Sequence, residues 1–119
     1  FTVPTIRYIT RSIDDIARAA RRLRLGIIRV TGGKAVVQVA DGFSEVGGGS
    51  LPGELLPTKL VAIQGRTPES KNPADLASAF RAFEPPIFGR VGEDRFLLDL
   101  RTVEDGEIST IVRAASDIL

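Results

Sequence analysis

Residues 87–100 read IFGRVGEDRFLLDL, and this stretch decides the fold class. Two apolar runs, 87–91 and 95–100, flank a glycine-containing turn at 92–94, which is the pattern of a β-hairpin. Apolar periodicity elsewhere predicts two more strands, at 35–40 and 59–64, and three helices, at about 12–25, 72–84 and 103–119. The order α-β-β-α-β-β-α predicts an α+β fold, with helices packed on one face of a largely antiparallel four-stranded sheet.

Capping and glycine residues predict where these elements begin and end. Ser12 is the predicted N-cap of the first helix, and Gly26 is predicted to end that helix because glycine often follows a helix C-terminus. Thr102 is the candidate cap of the last helix. Segment 47–53, the glycine segment, contains three consecutive glycines, Gly47 to Gly49, and Pro52, and these residues predict an irregular connection between the two central strands.

Composition excludes several classes of function. The chain has 119 residues, enough for one domain, and contains no cysteine and no histidine, so disulfides, zinc fingers and histidine-based catalytic triads are excluded. Its apolar runs are short, so no membrane span is expected. No methionine is present and the chain begins with Phe1, which predicts a processed chain or a piece of a longer one.

Arginine is the most conspicuous charged residue. Seven arginines lie in the first 29 residues against two aspartates, although the net charge of the whole chain is only +1. Such a segment is compatible with a helix that faces RNA. Few aromatic residues interleave with these arginines, so a solvated face with some ion pairs is the favoured interpretation.

Three features are candidates for binding an anion. The glycine segment offers backbone N–H groups at close range, although a tight connection explains it more simply. Arg101 follows the last strand and Arg90 ends the preceding one, and a guanidinium there could hold a carboxylate through two hydrogen bonds. A structural pair with Asp99 or Glu104 is an equally good interpretation of either arginine.

Five stretches resemble, in the same order, the signature blocks of the bacterial selenocysteine synthase family, the L-seryl-tRNA(Sec) selenium transferases. These stretches are VPTIRYIT at 3–10, VGGGSLPG at 46–53, LPT at 56–58, PPIFGRV at 85–91 and DRFLLDLRTV at 94–103. The departures are small: Phe88 replaces a smaller aliphatic residue, and Glu93-Asp94 occupies the hairpin turn.

The resemblance implies that residues 1–119 form the small C-terminal domain of a fold-type-I pyridoxal-phosphate enzyme. The parent enzyme would convert seryl-tRNA(Sec) to selenocysteinyl-tRNA(Sec) with selenophosphate, in the cytoplasm, as a ring of homodimers, without DNA or membrane partners. The large domain, whose lysine binds pyridoxal 5'-phosphate, and the N-terminal tRNA-binding domain are expected to lie outside this chain. No lysine here matches the cofactor lysine, so the isolated chain is expected to be inactive.

The resemblance also ranks the site residues. It implies no catalytic or metal-binding residue in this chain, and it makes Arg101 the first candidate for binding substrate. Arg90 and the glycine segment are secondary candidates, the latter through Gly47, Gly48, Gly49 and Ser50. Replacing Arg101 is expected to lower activity with little loss of folding. The alternatives are the small domain of a related pyridoxal-phosphate lyase, or a free-standing α+β module that binds an anion or amino acid or mediates oligomerisation.

Overall fold

The computed structural model describes residues 11–45, 55–67 and 69–119, and within them it confirms the α+β fold. The elements are α1 (Ile13–Thr31), β1 (Ala35–Glu45), β2 (Leu55–Gly65), α2 (Pro73–Ala82), β3 (Arg90–Gly92), β4 (Arg95–Asp99) and α3 (Asp105–Ile118). The four strands form one antiparallel sheet in the order β1-β2-β4-β3. None of the helices in the described ranges has both the length and the apolar character that a transmembrane span needs.

Helix α1 begins as predicted and ends later than predicted. The Ser12 hydroxyl accepts a hydrogen bond from the backbone N–H of Asp15 at 3.1 Å, which confirms the N-cap. The prediction that Gly26 ends the helix is wrong, because the helix continues to Thr31 and stops at Gly32, which is left-handed with φ of 61°. Glycine is the residue that adopts this conformation most easily.

Gly26 has a packing role inside the helix. A Cβ atom built at this position would stand 2.7 Å from Cγ2 of Val112, a residue of α3. The absence of a side chain therefore lets α1 and α3 approach closely. Local sequence carries no sign of this contact, because Val112 is distant in the chain.

We expect Gly26→Ala to destabilise the chain through this contact. Alanine favours a helix over glycine by about 1 kcal/mol, but overpacking costs about 1–3 kcal/mol, so the net loss of unfolding free energy should be about 1 kcal/mol. In a Val112→Ala background the same substitution should stabilise the chain. Urea denaturation of the four variants measures both effects, and a gain in stability in both backgrounds would contradict the proposed contact.

Strands β1 and β2 are longer than predicted. They pair along their whole length from Ala35 opposite Gly65 to Glu45 opposite Leu55, so residues that the sequence placed in the irregular connection are strand residues. Pro57 is tolerated because β4 pairs with β2 only from Leu60 to Ile63, which leaves β2 open on that side at Pro57. The predicted loop over Gly47–Gly53 lies outside the described residues.

The core lies between the sheet and the three helices. Phe80 of α2 and Phe96 of β4 are fully buried at its centre, with ring centroids 5.0 Å apart. Beside it, α3 begins with Glu107 accepting a hydrogen bond from the backbone N–H of Glu104 at 2.8 Å. Thr102 is therefore not the cap that the sequence predicted, and its hydroxyl instead donates to the carbonyl of Asp99 at 3.0 Å.

Candidate functional site

Arg101 lies two residues after the end of β4 and is buried, with 4% of its surface exposed. Its Nε donates to the carbonyl oxygen of Pro57 at 3.0 Å, and a second guanidinium nitrogen donates to the same oxygen. Nη1 donates to the carbonyl oxygen of Arg11 at 3.1 Å. The guanidinium thus joins the start of β2 to the residues that precede α1.

The carboxylate of Asp99 accepts hydrogen bonds from the polar groups beside Arg101. It accepts hydrogen bonds from Thr58 Oγ1 at 2.7 Å, from Ser44 Oγ, and from the backbone N–H of Arg101 at 3.0 Å. Ser44 and Thr58 are each 1% exposed. We call Ser44, Thr58, Asp99 and Arg101 the polar cluster. Buried polar groups are costly unless they are hydrogen-bonded, and these four satisfy one another and the nearby backbone.

Arg11 also links the chain before α1 to the β4–α3 connection. Its Nη1 donates to the carbonyl oxygens of Leu100, Arg101 and Val103, at 2.9, 3.1 and 2.5 Å. Arg11 and Arg101 therefore each bind the other's backbone carbonyl. Because the donors are charged, these hydrogen bonds are stronger than neutral ones, and they fix the chain before α1 against the β4–α3 connection.

Burial sets the electrostatics of Arg101. Loss of water around the guanidinium lowers its pKa, Asp99 raises the pKa again, and the positive charge of Arg11 lowers it further. An arginine keeps its proton in proteins even so, and the side chain therefore acts as a fixed positive charge. It cannot serve as an acid or base, and its chemistry is limited to holding oxygen atoms.

Arg90 binds β1, the strand that pairs with the β2 strand bound by Arg101. It is exposed, and its Nη2 donates to the carbonyl oxygen of Phe43 at 3.2 Å. Phe43 lies directly opposite Pro57 in the β1–β2 ladder. Both candidate arginines therefore donate to carbonyls of one residue pair at the outer end of this hairpin. That either arginine binds substrate stays a prediction.

The remaining predicted site residues connect these two strands. Gly47, Gly48, Gly49 and Ser50 lie outside the described residues, and the sequence places them between the end of β1 and the start of β2. Arg90 and Arg101 thus bind the two strands, β1 and β2, that the glycine segment connects.

Sequence reasoning missed Ser44, Thr58 and Arg11. The two hydroxyl residues fall in the stretch that was expected to be irregular, so no strand pattern identified them as buried. Their partner Asp99 is 55 residues from Ser44 and 41 residues from Thr58. The one signal in the sequence that could have identified Thr58 is its place in the LPT block, which resembles a signature block of the family.

The lysines do not fit the pyridoxal phosphate that the resemblance implies. Lys59 forms a surface ion pair with Asp41, and the Nζ of Lys71 donates to the carbonyl oxygen of Ile118 at 3.1 Å. Lys34 and Lys71 are exposed and border a crevice that is open to solvent. A Schiff-base lysine requires a partly desolvated amine in an enclosed site, which none of the three provides. Among the described residues no group of three or more acidic side chains is placed to bind a metal ion.

Comparison with known proteins agrees with the signature blocks. The family model described as SelA, L-seryl-tRNA selenium transferase, matches residues 1–104. A protein of Nitratidesulfovibrio vulgaris named L-seryl-tRNA(Sec) selenium transferase is 39% identical over 117 residues, covering 98% of this chain and 24% of that protein. Proteins of the same name from Desulfomicrobium baculatum and Geobacter metallireducens are 37% and 34% identical, over 99% and 98% of this chain.

The chain spans about a quarter of the length of these curated relatives. The family model ends just before α3, and it includes Asp99, Arg101 and the glycine segment. The chain therefore belongs to the L-seryl-tRNA selenium transferase family.

Proposed function

We propose that this chain is the small C-terminal domain of an enzyme that converts seryl-tRNA(Sec) to selenocysteinyl-tRNA(Sec), with selenophosphate as the selenium donor. The observation that carries this proposal is the match of nearly the whole chain to proteins named for this reaction. The substrate is an aminoacyl-tRNA, which supports a cytoplasmic enzyme. We also propose that the enzyme assembles from copies of itself as a ring of dimers, as the resemblance implies.

The domain's contribution follows from its own residues. Pyridoxal phosphate is proposed to bind another part of the enzyme, because the three lysines here do not fit it. The polar cluster fixes the outer end of the β1–β2 hairpin, and with it the two points where segment 46–54 joins the domain. Arg101 is proposed as a positioning residue for that segment. The glycines of the segment suit an anionic group of the substrate, because glycine lets backbone N–H groups come close to an anion.

The proposed function is tested with the protein encoded by the complete gene. Purified protein is given selenophosphate and either seryl-tRNA(Sec) or free serine, and kcat/KM is measured for each. We expect conversion of the seryl-tRNA and none of free serine. Turnover of small amino acids without tRNA would establish the related lyase instead, and no turnover of either, with ligand binding retained, would establish a binding module.

The position of the cofactor gives a separate prediction. The isolated 119-residue chain, incubated with pyridoxal phosphate and then borohydride, should give no stoichiometric adduct at a single lysine, because its amines are exposed or engaged at the surface. The protein from the complete gene should give one such adduct outside this chain. Peptide mass spectrometry locates the modified lysine, and stoichiometric labelling of Lys34, Lys59 or Lys71 would contradict the proposal.

A further inference from the structure

Positive charge is concentrated around helix α1. Residues 11–31 contain six arginines and two aspartates, a surplus of four positive charges, whereas the net charge of the whole chain is +1. The rest of the chain is therefore net negative. The charges are segregated rather than mixed, which makes this helix the basic part of the domain.

Four of these arginines share one exposed face. Arg18, Arg21, Arg22 and Arg29 are exposed, and the last three follow Arg18 by three, four and eleven residues, spacings that place side chains on the same side of a helix. The opposite side carries the buried residues that face the core. We call these four residues the arginine face. It extends about 16 Å along the helix axis at 1.5 Å per residue.

The arginine face has less negative than positive charge beside it, with Asp15 and Asp105 lining a crevice next to Arg18 and Arg22. Arg18 forms an exposed ion pair with Asp15, which contributes little to stability and leaves both groups open to competition. Within the described part of the chain, no hydrogen bond or ion pair involves the side chains of Arg21, Arg22 or Arg29. Like charges three or four residues apart destabilise a helix by about 0.2–0.5 kcal/mol per pair. An anionic partner would relieve that repulsion.

Arg24 also lies on α1, but it does not belong to the arginine face, because its guanidinium already has a structural partner. Its Nε donates to the carbonyl oxygen of Val37 at 2.8 Å, so its guanidinium is used to hold α1 against β1. Arg11 is likewise used at the polar cluster. Among the residues that the structure describes, the four arginines of the arginine face make no such contact apart from the weak pair of Arg18 with Asp15.

We propose that the arginine face binds the sugar–phosphate backbone of the tRNA substrate. This inference rests on the proposed function, which supplies a polyanion as substrate. Guanidinium groups hold phosphate oxygens through paired hydrogen bonds. Residues 11–31 include no aromatic side chain, so the face offers phosphate contacts without base stacking. It would therefore position the tRNA without reading its sequence.

The experiment compares two double variants of the protein from the complete gene. Arg21→Gln/Arg22→Gln removes two charges from the arginine face, and Lys34→Gln/Arg81→Gln removes two exposed charges elsewhere. Binding of seryl-tRNA(Sec) is measured by filter retention at several salt concentrations. The first variant should bind about tenfold more weakly, and the slope of log K against log salt should fall by about 1.5, since each phosphate contact contributes about 0.7–0.9. The control should keep both values.

The outcomes separate this inference from the function on which it rests. If the unmodified enzyme converts seryl-tRNA(Sec) but the first variant binds it with unchanged affinity and slope, the inference is wrong and the function stands. Equal losses in both variants would also overturn it, because they would reflect overall charge. Loss of subunit assembly with tRNA binding retained would assign the face to an acidic protein surface. If the unmodified enzyme acts on no tRNA, both the proposed function and this inference are wrong.

Discussion

Replacing Arg101 by methionine is expected to lower the unfolding free energy of the chain by about 3 kcal/mol or more. The substitution leaves the carbonyl oxygens of Pro57 and Arg11 without their charged donor and removes a positive charge that interacts with Asp99. A charge that loses its partner is costly where water is limited, and the half-buried Asp99 lies among buried hydroxyl groups. Urea denaturation of the 119-residue chain measures the loss.

Arg90 provides the matched control for this prediction. It donates to the same residue pair of the hairpin, but it is exposed, and within the described ranges its side chain makes one hydrogen bond, to Phe43. Arg90→Met should therefore cost about 0.5 kcal/mol or less, as exposed substitutions usually do. Equal losses at the two positions would show that the polar cluster does not stabilise the domain. Sequence alone predicts that Arg101 can be replaced with little loss of folding, and its burial reverses that expectation.

Arg101→Lys then separates positioning from substrate contact. Lysine keeps the charge but loses the planar fork that binds Pro57 and Arg11. In the complete enzyme, a positioning role predicts that KM for seryl-tRNA(Sec) rises together with a fall in melting temperature, because the hairpin end that carries segment 46–54 is held less firmly. A raised KM at full folding would instead assign Arg101 to the substrate, as the family resemblance implies.

The second large effect is expected at the centre of the core. Phe96→Ala should lower the unfolding free energy by about 3–5 kcal/mol, because it removes a fully buried ring that stacks on Phe80. Val91→Ala is the control: Val91 lies opposite Phe96 in the β3–β4 ladder but is 50% exposed, so its loss should be below about 1 kcal/mol. Chemical denaturation compares them, and a loss at Phe96 no larger than at Val91 would contradict this core.

The parts of the fold that depend on local pattern could be predicted from sequence. The existence of the β3–β4 hairpin, the cap at Ser12 and the order of the elements follow from spacing within a few residues of each position, although the first hairpin strand is Arg90–Gly92 rather than the predicted 87–91. The errors arose where a distant residue decides the outcome. Gly26 stays helical because Val112 of α3 packs over it, and the outer parts of β1 and β2 are strands because each supplies the other's hydrogen bonds.

The candidate site shows the same division. Arg101 could be singled out because it follows a strand and lies in a family block. Its neighbours could not, since the polar cluster joins residues 41 to 55 positions apart and only folding brings Ser44 and Thr58 to Asp99. Arg11 was noticed as one of many arginines, and its use in binding three carbonyl oxygens depends on the position of the β4–α3 connection.

The transfer of selenium to tRNA tests the central claim most directly. The protein from the complete gene is incubated with seryl-tRNA(Sec) and isotopically labelled selenophosphate, and the aminoacyl group released from the tRNA is identified by mass spectrometry. We expect labelled selenocysteine in place of serine. Serine recovered unchanged from an enzyme that is folded and loaded with its cofactor would contradict it.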